Sequence, residues 1–110
     1  MQAEVQRENW VGVLQEVSLP GTDGSAKSFL EAAVTFCNKQ CWGSLSASIF
    51  VPPDVHKAYP EAVDRAIADL QYGAIAVNAP SFIPFALPQL GWGAFPGNQP
   101  DVRACLKGRA

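Results

Sequence analysis

Residues 11–19 alternate in character: Val11, Val13, Val17 and Leu19 share one side of an extended chain, with Gln15 the only polar member. That is the period of a half-buried strand. Pro20-Gly21 and Asp23-Gly24 are turn dipeptides, and Ser25 is placed to cap a following helix. In that helix Phe29, Leu30, Ala33, Val34 and Cys37 build one apolar stripe, Lys39 suits the negative end of the dipole, and Gly43 stops the pattern. Leu45, Ala47, Ile49 and Val51 then alternate with Ser46, Ser48 and Phe50, predicting a second strand that Pro52-Pro53 ends. Its serines suggest close packing against that face. Pro60 fits the first position of a second helix, where its missing N–H costs nothing. Ala62, Val63, Ala66, Ile67 and Leu70 form its apolar stripe, and Gly73 is its natural terminator. The short apolar run Ala74-Ile75-Ala76-Val77 reads as a strand buried on both faces.

Residues 45–78 therefore spell strand, helix, strand in 34 residues. That is the length of a βαβ unit, so the two strands are expected to be parallel with a right-handed crossover. The predicted class is α/β: a small three-layer-type unit with a parallel βαβ core, two main helices and about three strands. Residues 1–110 form one domain in this reading. After Asn78 the periodicity vanishes, because prolines at 80, 84, 88, 96 and 100 and glycines at 91, 93, 97 and 108 interrupt every run. Residues 79–110 are expected to be a Pro/Gly-rich irregular tail, a length of loop that is uncommon unless it lines a site or lies across a partner. Two helices cannot cover both faces and the edges of such a sheet. Self-association, or contact with more of a larger polypeptide, is the expected consequence.

Composition removes several alternatives. The charged fraction is 16% and the hydrophobic fraction 48%, against about 25% charged residues in a typical soluble domain. A folded chain with a face awaiting cover fits these proportions. The net charge of −2 and the lack of any Lys/Arg run offer nothing to a phosphate backbone, so nucleic acid is not an expected partner. Residues 74–90 are the most apolar long stretch, but Asn78 and the prolines at 80, 84 and 88 make them a poor spanning helix, and no membrane partner is expected. Glu4, Arg7 and Glu8 leave no apolar signal core behind Met1, which suggests a cytoplasmic protein. Cys37, Cys41 and Cys105 contain no CxxC pair, and His56 is the one histidine, so reduced thiols and no zinc site are expected.

Ala33-Val34, Asn38 and the run Trp42-Gly43-Ser44-Leu45-Ser46-Ala47-Ser48-Ile49-Phe50-Val51, followed by Ala66-Ile67-Ala68-Asp69-Leu70-Gln71-Tyr72-Gly73-Ala74-Ile75-Ala76-Val77-Asn78, form an ordered set. In order and spacing this set resembles the late catalytic-domain region of aldehyde dehydrogenases. There a helix ending in asparagine leads through a Gly-Leu turn into a strand, then a helix, then a strand ending in Val-Asn. The likeness spans roughly residues 8–97. Glu8-Asn9-Trp10-Val11-Gly12-Val13 resembles a drifted form of the family's E-x-F-G-P-V segment. The resemblance implies that Glu8 would hold the nicotinamide ribose and Trp10 would pack near the nicotinamide. Read as residues alone, Glu8 is a solvated charge and Trp10 a core anchor. Ser81, Phe82 and Ile83 would lie where the family lines its aldehyde tunnel, and residues 90–97 take the place of a family loop without spelling it. Asn78, at the end of a parallel strand, is either a site residue or a cap for the following loop.

The resemblance implies oxidation of an aldehyde to an acid with NAD or NADP by a complete family protein. The family's nucleophilic cysteine, general-base glutamate and dinucleotide-binding domain all belong upstream of the region represented here. Cys37 falls on a helix stripe and Cys41 just beyond it, with only Lys39 near to activate a thiol, and no G-x-G-x-x-G follows a strand. The chain alone is therefore expected to be inactive, with no catalytic residue, metal or cofactor of its own. The alternative from a different class is a non-catalytic interaction or oligomerisation domain derived from the same fold.

Overall fold

A computed structural model describes residue 12 and residues 14–91. Glu8, Trp10 and most of the tail, with Cys105, lie outside the described residues. Within them the order is α1 (Ala26–Gln40), β1 (Ser46–Ile49), α2 (Pro53–Ala58), α3 (Pro60–Asp69) and β2 (Ala74–Val77), then a 3₁₀ turn at Ile83–Ala86. The two strands pair in parallel, Ser46 opposite Ala74 and Ile49 opposite Val77. The chain is a small α/β unit with a parallel strand-helix-strand core.

Local signals explain most of these boundaries. The Ser25 side chain accepts a hydrogen bond from the Ser28 N–H at 3.1 Å and so caps α1. Pro53 and Pro60 open α2 and α3, each with φ already preset for a helix. Tyr59 alone separates these two helices, being the C-cap of one and the N-cap of the next at φ −133°, ψ 52°. Its position before proline disfavours the helical region and forces the break. Residues 53–58, which follow the end of the first strand, thus form a helix of their own, and the crossover contains two helices instead of one. Gly73 does not terminate α3. The helix ends at Asp69 with Leu70 extended, and the Gly73 N–H starts the ladder by donating to the Ser44 carbonyl at 2.7 Å.

The expected first strand does not form over residues 14–19, which carry no regular secondary structure and leave Leu14 99% exposed. Alternation marks a chain able to lie half-buried, but a strand exists only where a neighbour completes the ladder. Among the described residues the sheet therefore has two strands.

The core is small, and the side chains in it are mostly small. Val51, Val63, Ala66, Leu70, Tyr72, Ala74 and Ala76 are buried, with Val63 at 1% exposure. Outside are Trp42 at 69%, Phe50 at 70% and Phe82 at 66%, and α1 has no buried residue at all. α1 packs on α3, which covers only part of its apolar stripe and leaves Phe29 exposed.

Candidate functional site at the carboxyl end of the strands

In open α/β sheets, ligands bind outside the carboxyl ends of the strands. Here that end is made by Ile49-Phe50-Val51 and Val77-Asn78-Ala79, with the 3₁₀ turn packed back against β2. Asn78 occupies the left-handed region at φ 53°, a conformation asparagine adopts more readily than most residues. Its N–H donates to the Ile49 carbonyl at 2.8 Å, extending the ladder by one rung. Its carboxamide oxygen accepts from the Val51 N–H at 2.7 Å, and its Nδ2 donates to the Val51 carbonyl at 3.1 Å.

Of the two readings of Asn78, the geometry supports the structural one. Its amide is spent on the backbone of Val51 and aligns the chain leaving β2. The Ser48 hydroxyl adds a second tie, donating to the Ala79 carbonyl at 3.0 Å. That is the local use of the serine whose face was expected to be tightly packed; Ser48 itself is exposed.

Beyond these ties, Ser81 is half-buried, Phe82 and Ile83 are exposed, and Pro84 is buried beneath them. With Phe50 and Phe85, also exposed, they place several apolar side chains and one hydroxyl in the segments at the carboxyl end of the sheet. Such a set can bind or wall off an apolar group. Apart from the Ser81 hydroxyl it contains no group that could act as acid, base or nucleophile.

The thiols sit at the other end. Cys41 caps α1 just before β1, and Tyr72 just precedes β2, so both lie at the amino ends of strands whose four residues span about 13 Å. Cys37 and Cys41 are free and half-buried. Burial, with Cys41 close by, pushes the Cys37 thiol up to about 11, and burial with the two cysteines nearby pushes the Tyr72 hydroxyl up to about 12. A thiol held protonated is a poor nucleophile, and it is remote from Asn78. Among the described residues no group of three His, Cys, Asp or Glu side chains is placed to hold a metal ion. Nor is any helix among them long and apolar enough to cross a membrane.

Asn38 was visible in the sequence only as the asparagine near a helix end. Its Nδ2 donates to the Asp69 carbonyl at 2.8 Å, and its oxygen accepts from the Gln71 N–H at 2.9 Å. It therefore caps α3 from across the fold, which is why that helix stops before Gly73. A cleft of about 710 Å³ lies elsewhere, between residues 17–21 and the side of α1 carrying Ser28, Glu31, Thr35 and Phe36. Asn78, Ser81, Phe82 and Ile83 do not line it. Comparison with family models, characterised proteins and solved structures finds no match.

Proposed function

We propose that the chain is part of the catalytic domain of an aldehyde dehydrogenase-like oxidoreductase, supplying scaffold and substrate-passage wall to a unit whose nucleophile and dinucleotide site lie elsewhere. The observation that carries this reading is the parallel strand-helix-strand ending in Asn78, which delivers Ser81, Phe82 and Ile83 to the carboxyl end of the sheet. The ordered likeness of residues 33–78 to that family adds the reaction class. In this reading NAD or NADP serves the complete protein, Glu8 and Trp10 approach the nicotinamide end, and Phe82 and Ile83 line the aldehyde path. Water exclusion is the part these apolar side chains play, since a dry passage protects a reactive acyl intermediate.

The test has two arms. The chain alone, titrated with NAD and NADP in the presence of aldehydes, is expected to give no turnover; robust turnover would show that the machinery is here after all. Joined in frame behind a cysteine-bearing catalytic segment with its dinucleotide domain, the chain is expected to support aldehyde-dependent reduction of the nicotinamide. Ile83→Trp should then raise KM for bulky aldehydes and leave that for the dinucleotide unchanged. An unaltered aldehyde KM sinks the passage assignment.

A second reading is favoured by the contrast between a small core and the large exposed side chains of Trp42, Leu45 and Phe50. Large exposed apolar side chains mark association surfaces. A non-catalytic assembly domain would form a stable oligomer with no nucleotide affinity, and a monodisperse monomer in sedimentation equilibrium would count against it.

A further inference from the structure

Cys37 and Cys41 stand one helical turn apart at the end of α1, with Cys41 close enough to help hold the Cys37 thiol protonated. We propose that they form a reversible redox pair, closed to an intramolecular disulfide by a glutathione-type disulfide, that acts on the link between α1 and β1.

Geometry sets the terms. In a continuous helix, residues four apart hold their Cβ atoms about 5–6 Å apart, whereas a disulfide needs about 3.5–4.5 Å. Two cysteines inside a helix are thus kept open by the helix itself. Cys41, however, is the cap: at φ −77°, ψ 138° the chain has left the helix, and Gly43 follows at φ +91°. No later helical turn has to break for Cys41 to move the remaining ~1–2 Å.

Cys37 does not follow it. Its carbonyl accepts from the Tyr72 hydroxyl at 3.3 Å, and the adjacent Asn38 is tied to Asp69 and Gln71. Closure therefore pulls the mobile partner toward the fixed one. It draws in Trp42, which is exposed, and the short connection to Ser44, whose carbonyl receives the first ladder bond from Gly73. Oxidation is read out at the start of the parallel ladder.

The exchange balances without a further reagent. Cys41 loses its proton and attacks the glutathione disulfide, releasing one glutathione as a thiol that takes up a proton. Cys37, the slower attacker because burial keeps its thiol protonated, then loses its proton and displaces the second glutathione from Cys41. One protein disulfide forms as one glutathione disulfide is reduced to two thiols.

The test uses the full chain with Cys105→Ser, which removes the third thiol. After equilibration with excess oxidised glutathione, quenching and alkylation, the intact mass is expected to fall by two hydrogens with no adduct retained. Trypsin should yield residues 28–39 linked to residues 40–57, and excess reduced glutathione should restore both free thiols. Cys37→Ser in the same background should stop at one glutathione adduct on Cys41. Stable single adducts in the parent, unmodified thiols in excess oxidant, or disulfides found only between two chains would each overturn the proposal.

Discussion

Asn78 and Val51 form a closed two-bond ring: the amide of one side chain accepts from and donates to the backbone of the other residue, at 2.7 and 3.1 Å. A side chain thereby occupies the next rung of a ladder that has only four residues per strand. Asn78→Ala loses both bonds and places at φ 53° a residue that adopts the left-handed region less readily than asparagine. Destabilisation of about 2–3 kcal/mol is expected, roughly 1 per bond and about 1 from the backbone. Asn78→Gly keeps the backbone freedom and should cost less than alanine. Urea unfolding of the two variants decides it, and an alanine variant as stable as the glycine one would refute the strain argument.

Asn38 joins α1 to the end of α3 in the same bidentate manner. Asn38→Ala should cost about 1–2 kcal/mol and remove the cap that halts α3. Amide hydrogen exchange should speed up at Gln71, whose N–H loses its partner. Unchanged protection there would show that Leu70, bonded to the Ala66 carbonyl at 3.2 Å, ends the helix unaided.

Cys37 and Tyr72 make the fold sensitive to alkali. Their ordinary values of 9.0 and 10.0 rise to about 11 and about 12, chiefly because burial disfavours the charged forms. Between those limits the folded chain holds protons that the unfolded chain has released, so stability falls as pH rises. It is fully present below about pH 9 and declines as pH climbs toward 11 and 12. Thermal melts from neutral to alkaline pH should show this loss, and Cys37→Ser should shrink its first part. A flat profile across that range would contradict the burial of both groups.

Asp23 carries the opposite dependence. Hydrogen bonds from Ser25 and Ser28 hold its carboxyl down at about 2 from an ordinary 3.8. Its contribution to ordering the start of α1 is present above the ordinary value and is lost as pH falls from about 4 toward 2. An NMR titration of the Asp23 carboxyl checks the value directly, and Ser28→Ala should raise it. A midpoint near 3.8 in both proteins would remove the Asp23–Ser28 link.

The elements legible in the residues alone are those whose cause is local. Ser25 at a helix start, Pro60 at a first helical position and the four apolar residues of β2 announce themselves through capping, preset φ and short-range pattern, and all stand where those signals place them. The pairing of the two strands followed from the length of their connection. What only the tertiary structure decided depends on partners distant in the chain. The alternation of residues 14–19 states that the segment can be a strand, yet among the described residues no neighbour completes a ladder there. Asn38 and Asn78 look alike in the sequence, two asparagines near element ends, and only the fold directs one amide across 31 and 33 residues to Asp69 and Gln71 and the other across 27 to Val51. Short-range pattern records which conformations a residue favours, whereas the destination of a hydrogen bond is fixed by where packing brings the other chain segment.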